Sequence, residues 1–507
     1  MYFSPYWVNR AAMLLLGALF LGVLLASGGG SSILVASEIG TIGSEIGVND
    51  FRISHMGPDG DPEFDALAAD VAYNSINDEY LVVWEGDDLI GAEGFEIYAQ
   101  RVNGTSGALV GTAVRLSVMG PEGDATYDGR TPAVAYNSSD NEYLVVWSGD
   151  DNDGGVVEGE LEIFGQRLDA AGNPIGADDF RISDMGVNGD DQYDARDPDV
   201  AFNSSANQYL VVWHGDDNTT TVDEENEVFG QRLDAAGNEV GANDFRISDM
   251  GPASNPAFYG IFPAVVFNNV QNEYLVVWEG SDTGEQEIFG QILDNNGSET
   301  GTNDFRISDM GPNGDPNYSA GQAAVAYNVS NDRYLVVWSG DDNSGGVVND
   351  EFEIYRQQLD GASGAEIGGD VRLSDMGEIG SPLYTAQQPA VAYDGNNNEY
   401  LVVWRGDDNV GSAIDNEFEI FGQRLDAATG SEITGSDDVR LSDMGPNGNV
   451  NHEAMLPAVA DNSGTDEALV VWAGDDGVNN EFEIYGQRVA LSSQPLPFDV
   501  YLPVVVR

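Results

Sequence analysis

Seven near-copies of one phrase run along the chain, and they restrict its fold more than any other feature. The phrase is an aromatic residue, Leu-Val-Val-Trp, one further residue, then Gly-Asp-Asp; the first copy begins Tyr80-Leu81-Val82-Val83-Trp84. The tryptophans fall at Trp84, Trp147, Trp213, Trp278, Trp338, Trp404 and Trp472, with spacings of 63, 66, 65, 60, 66 and 68 residues. A period this long, filled with short strand-like runs, marks a repeat architecture. It overrides the expectation of about three domains that 507 residues would otherwise raise.

One repeat reads as four strands. In the second copy, Ala133 to Asn137 is apolar and stops at Ser138-Ser139-Asp140-Asn141. Tyr143 to Trp147 follows, then a polar loop opening Ser148-Gly149-Asp150-Asp151. Leu161 to Leu168 ends at the turn Asp169-Ala170-Ala171-Gly172-Asn173, and Phe180-Arg181-Ile182-Ser183 closes the unit. Runs of four to eight residues bounded by Gly, Asn, Asp and Ser predict antiparallel strands, named A to D here. Strand B is apolar at every position, so both of its faces are buried. Radially stacked sheets meet that demand, which predicts an all-β chain folded as a seven-bladed β-propeller of four-stranded antiparallel blades. Phe51-Arg52-Ile53-Ser54 is a strand D with nothing before it, and the last copy lacks a strand D. The N-terminal strand is therefore expected to complete the last blade and close the ring, removing an exposed edge.

The repeats resemble those of secreted bacterial proteins that carry Tyr-Leu-Val-Val-Trp and Gly-Gln-Arg-Leu-Asp phrases, over about residues 51–490. That resemblance implies a fold and no activity. WD-repeat and Asp-box propellers do not match: the period is too long for the first, and the Asp-box pattern is missing. Residues 1–36 have a short n-region ending at Arg10, an apolar run from Ala11 to Ala26 and a Ser/Gly stretch, the layout of an export signal. A retained N-terminal anchor is the alternative, and no other segment could span a bilayer. Residues 37–50 read as a linker, 51–490 as the propeller and 491–507 as a Pro-containing tail. The ending Tyr501-Leu502-Pro503-Val504-Val505-Val506-Arg507 resembles the termini of secreted proteins from some filamentous green bacteria, which implies export or surface sorting; a strand packed on the last blade is the other reading.

Charge and cysteine narrow the partners. The net charge is -68, from 87 acids against 19 bases, every one of them arginine. Such a chain repels nucleic acid and anionic lipid and favours cations. With no cysteine, thiol catalysis, thiolate metal sites and disulfides are excluded. Seven methionines, Met56 to Met444, follow strand D by two residues and read as fillers under the loops. Twelve of the 19 arginines recur on strands C and D, where pairing with acids between blades is expected.

The acids after each tryptophan are the candidate metal ligands: Asp87, Asp88, Asp150, Asp151, Asp216, Asp217, Asp341, Asp342, Asp407, Asp408, Asp475 and Asp476. Antiparallel order puts the B–C loops and the D-to-A loops on one rim, where carboxylates on flexible Gly-rich loops suit calcium. Solvated or N–H-capping aspartates are the alternative. Catalysis finds little support in the sequence. His55, His214 and His452 share no spacing, and no zinc, nucleophile-elbow or phosphate-loop motif is present. The loops also repeat nearly unchanged, whereas an active site needs different groups converging at one place. The expected function is thus a secreted or cell-surface, monomeric binding or scaffold module with a protein or polysaccharide ligand on one face. The alternative is a propeller-type polysaccharide hydrolase or lyase, its site hidden at the irregular places: His55, Val118 or the short Gly280-to-Glu287 loop.

Overall fold

The computed structural model describes residues 45–491, except for 59–60, 62–63, 88–93, 121–125, 151–158, 187–192, 217–225, 253–254, 282–283, 313, 342–350, 378–380, 408–416, 434–437, 447–449 and 476–480. The leader and the C-terminal tail lie outside the described residues, as does the second aspartate of every Asp-Asp pair. Among the described residues there is no helix. Twenty-eight strands form seven four-stranded antiparallel sheets.

Six sheets are consecutive in sequence. The seventh joins strands A to C of the last repeat, Ala454–Asn462, Glu467–Gly474 and Glu483–Ala490, to the N-terminal strand Glu45–Arg52. Glu45 pairs with Val489 and Phe51 with Gly486. Ring closure by the first strand is therefore as expected, and that strand begins at Glu45. Asp50 also accepts the Asp443 N–H of blade 6 at 3.2 Å, so the first strand ties two blades at once.

Strand B shows why its sequence is apolar throughout. In blade 2, Leu144 and Val146 pack against Tyr209, Val211 and Trp213 of blade 3. The alternate residues Tyr143, Val145 and Trp147 face Leu81, Val83 and Ile97 of blade 1. All seven repeat tryptophans are fully buried, each side chain contributing about 2–3 kcal/mol on burial. The methionines are buried beside them, and Trp472 Nε1 donates to Met444 Sδ at 3.5 Å.

The arginines correct one expectation. Arg181 on strand D pairs with Glu162 on strand C of its own blade, not with a neighbour. Ser183 Oγ donates to the same carboxylate and accepts the Ile163 N–H at 2.7 Å, while the Met185 N–H reaches Glu162 Oε1 at 2.9 Å. The arrangement recurs as Arg246–Glu227, Arg306–Glu287 and Arg440–Glu419. Strand C arginines likewise pair within the blade, as Arg101 does with Glu79 at 2.8 Å. The reason is geometric: strands C and D are adjacent, and the guanidinium reaches across one ladder. Blades are joined instead by strand D aspartates, as when Asp244 accepts the Asp184 N–H at 3.0 Å.

Candidate active site

Each strand A carries a feature absent from the sequence reading. Its ladder with strand B slips near the start, between Arg130 and Ala133 in blade 2 and between Arg196 and Asp199 in blade 3. One residue in each bulge takes a left-handed backbone: Ala68, Thr131, Asp197, Phe262, Gln322, Gln388 and Leu456, with φ from 49° to 58°. Bulges re-aim side chains. Here all seven line one cavity of about 410 Å³ at the hub of the ring.

The residue between Trp and Gly-Asp-Asp supports that wall. Glu85, Ser148, His214 and Glu279 accept the N–H of Thr131, Asp197, Phe262 and Gln322, each on the next blade, at 2.7, 3.0, 3.4 and 3.3 Å. Around the ring this position reads Glu85, Ser148, His214, Glu279, Ser339, Arg405 and Ala473. The frame repeats, but the group it carries varies, with only Glu and Ser appearing twice.

Between blades 3 and 4 the wall opens into a polar pocket of about 480 Å³, lined by Asp194, Arg196, His214, Asp216, Tyr259 and Ile261 among others. His214 sits on strand B of blade 3 (Gln208–Gly215), directly across the ladder from Arg196 on strand A (Ala195–Asn203). Burial, with the Arg196 charge second, lowers the imidazole pKa to about 4, so it is neutral at pH 7. Its Nδ1 lies 3.7 Å from Asp197 Oδ2. Arg196 is half-exposed and holds Asp194 Oδ2 at 2.7 Å, while Asp194 Oδ1 accepts the Leu161 N–H at 3.0 Å. Tyr259 opens strand A of blade 4 (Tyr259–Asn268), and its hydroxyl donates to Gln286 Oε1 at 3.1 Å. Burial, then the charge of Glu279, raises the Tyr259 pKa and keeps the phenol protonated. A neutral imidazole, a guanidinium and a phenol thus share one cavity, beside the short loop of blade 4 that the sequence marks as irregular.

The other histidines do different work. His452 is buried against Gly445, the place that Tyr127 takes beside Gly120 and Phe258 beside Gly251. It fills an aromatic slot. His55 is exposed on the rim. The first aspartates of the candidate metal pairs each anchor a loop in a different blade: the N–H of Asp87, Asp150, Asp216, Asp341, Asp407 and Asp475 reaches the carbonyl of Asp65, Asp128, Asp194, Ser319, Thr385 and Glu453. Asp216 also lines the pocket. Among the described residues no group of three or more acids or histidines is placed to hold a metal ion, and the partners Asp88, Asp151, Asp217, Asp342, Asp408 and Asp476 lie outside them.

No protein-family model matches the chain, and no curated protein does. Solved structures do. An ulvan lyase of family PL25 aligns over 88% of this chain and 95% of its own, at 8% identity and a TM-score of 0.49. The polysaccharide lyase Uly1 aligns over 84% and 90%, at 11% identity and a TM-score of 0.48. A GH93 α-L-arabinofuranosidase of Fusarium graminearum aligns over 87% and 98%, at 13% identity and a TM-score of 0.44. The expectation of a binding or scaffold module is corrected here. It rested on unchanging loops, whereas the hub wall varies around the ring, its left-handed residue being Ala, Thr, Asp, Phe, Gln, Gln and Leu. At these identities the likeness is one of fold, so the choice of reaction rests on the pocket's own residues.

Proposed function

We propose that the protein is a polysaccharide lyase that cuts beside an acidic sugar, with its active site in the pocket of blades 3 and 4. The observation that carries this reading is His214, a neutral imidazole buried next to a half-exposed guanidinium. Elimination needs a cation on the substrate carboxylate, to acidify the adjacent C–H, and a neutral base to take that proton. Arg196 supplies the cation and the neutral His214 imidazole the base. Nδ1 carries the lone pair that the Phe262 N–H reaches at 3.4 Å, and Asp197 Oδ2, 3.7 Å from it, stabilises the imidazolium once the proton is taken. As the carbon–oxygen bond to the next sugar breaks, Tyr259 protonates the departing oxygen, the base's lone pair holds the abstracted proton, and the electron pair of the broken C–H bond ends as a carbon–carbon double bond. Glycoside hydrolysis would instead need a pair of carboxylates flanking the bond; of the pocket's Asp194 and Asp216, Asp194 is already held by Arg196 and a backbone N–H.

The export signal read in residues 1–36 supports action outside the cell, on polymers too large to enter it. The charge of -68 opposes a polyanion at long range; at about 0.15 M salt the screening length is about 8 Å, and the local arginine then decides.

The test is a screen of uronate-containing polysaccharides for products with a conjugated, ultraviolet-absorbing end. His214→Ala and Tyr259→Phe should each lower kcat by about 10²–10⁴-fold, and His452→Phe should leave it unchanged. Products without that end would replace elimination with hydrolysis. Full activity in His214→Ala would remove the site altogether.

A further inference from the structure

The pocket of blades 3 and 4 and the hub cavity are lined by successive residues of the same strands: Arg196 and Ile261 line the pocket, Asp197 and Phe262 the cavity. At the Phe262 position the other six blades carry Ala, Thr, Asp, Gln, Gln and Leu, so the one aromatic ring at the hub stands next to His214. The Phe262 side chain packs edge-on against the imidazole, with centroids 5.4 Å apart, and the residue is still 45% exposed. Its φ of 51° is costly for a bulky residue. The bulge is common to all blades, but a large apolar group left half in solvent is not what packing selects there. Such groups often belong to binding surfaces.

The neighbours on that wall suit a sugar. Going round the ring, Phe262 is flanked by Asp197 on one side and Gln322 and Gln388 on the other. Gln322 Oε1 accepts the Gln388 N–H at 2.9 Å, and Gln388 Oε1 accepts the Leu456 N–H at 3.0 Å. With the carboxamide oxygens so used, the amide NH₂ groups are the ends that face a ligand. An apolar plate bordered by amide donors and a carboxylate matches a sugar ring, which has a C–H face and a rim of hydroxyls. Asp197 lines the cavity and no arginine does, so the sugar is uncharged.

We propose that the hub mouth is a second saccharide subsite for a neutral sugar, with Phe262 as its stacking platform. The proposal rests on the reading of the adjoining pocket: the acidic unit sits at Arg196 and His214, and the next unit of the polymer lies over Phe262.

The experiment measures binding separately from turnover, on the full chain. Calorimetry with neutral oligosaccharides of arabinose, xylose, rhamnose and glucose, which lack the carboxylate that elimination needs, is run on the parent protein and on Phe262→Ala, Phe262→Asn and Phe262→Trp, with His214 kept because it supports the Phe262 ring. At least one oligosaccharide should bind. Alanine and asparagine should each weaken it about tenfold, and tryptophan should keep it within about threefold. Asparagine tolerates the left-handed backbone, so its melting temperature should match or exceed that of the parent, separating lost stacking from misfolding. Unchanged affinity in both the alanine and asparagine variants overturns the subsite. So does a failure of every neutral oligosaccharide to bind while a uronate polymer is still cut, and in that case the lyase reading survives. Phe262-dependent binding with no polymer cut keeps the subsite and removes the lyase reading.

Discussion

The outer half of each blade and the wall of the hub obey opposite rules. On strands C and D the same Glu, Arg, Ser and Met recur, from Glu96, Arg115, Ser117 and Met119 to Glu483, Arg52, Ser54 and Met56. At the hub, the left-handed residue takes six identities around the ring and the residue after Trp five, on an unchanged backbone. Repetition marks the groups that hold the ring, and variation marks those that face its contents. The same backbone device, a bulge with φ near 50°, thus presents Ala68 in blade 1 and Phe262 in blade 4.

If the outer half is the frame, the largest effect comes from opening it. Deleting residues 45–54 removes a ladder, the buried Ile53, the Arg52–Glu483 pair and the Asp50 link to blade 6. The edge Glu483–Ala490 is then exposed. Stability should fall by about 5 kcal/mol or more, from lost burial and an unpaired edge. A melting temperature within a degree or two of the parent would mean that the ring does not close this way.

A single substitution in the frame should act on stability and spare chemistry. Glu162→Gln removes the charge facing Arg181 but keeps the shape and the contact with Met185. Removing one partner of a buried pair leaves the other uncompensated, here at a cost of about 2–4 kcal/mol. Denaturant unfolding should show that loss while kcat stays within about twofold. The hub variant His214→Ala should show the reverse, and a shared phenotype would erase the distinction between the two regions.

How far each region could be read in advance follows from the same contrast. The tryptophan period, the two-faced apolar strand B and the orphan strand at Phe51 made the ring and its closure legible, because burial demands apolar residues wherever it repeats. The bulge was not legible. A one-residue slip inside Ala66–Asn74 leaves no mark on composition, and the letter between Trp and Gly looks like noise. His214 was set aside because it shared no spacing with the other histidines. In a repeat that is the wrong test: a histidine replacing Glu, Ser or Arg at one fixed slot, with Arg196 opposite it on strand A, is the signal. The arginine partners were misassigned because sequence shows which residues recur but not which ladder neighbour they meet.

Acidity connects the two regions. Burial raises Asp70 to about 7, with Asp199 adding to it, raises Asp244 to about 7 and raises Asp461 to about 8, with Asp394 and Asp466 adding to it. Each folded value lies above the ordinary 3.8 of the unfolded chain. Such a group binds its proton more tightly when folded, so its contribution is fully present below about pH 4 and is lost as pH rises through 7 to 8. Melting temperature should therefore climb as pH falls from 9 to 6. A flat or falling profile would mean that these acids are better solvated than their burial implies.

The smallest effect expected is that of calcium, and it tests the rim rather than frame or hub. Six Asp-Asp pairs open the B–C loops, and in each the first aspartate ties its loop by a backbone bond, as Asp341 does to Ser319 at 2.9 Å. We propose that these pairs take cations weakly, relieving the repulsion of a chain at -68. Binding to the folded state alone at ten times the dissociation constant adds about 1.4 kcal/mol. In a chain of this size that amounts to about one or two degrees in melting temperature. Melting should be compared in millimolar calcium and in chelator at matched ionic strength, since salt alone screens the same charges. Magnesium is the sharper control: a carboxylate site for calcium prefers the larger ion, whereas screening does not distinguish the two. Equal midpoints in all three conditions would leave the first aspartates as loop anchors and the second as solvated surface.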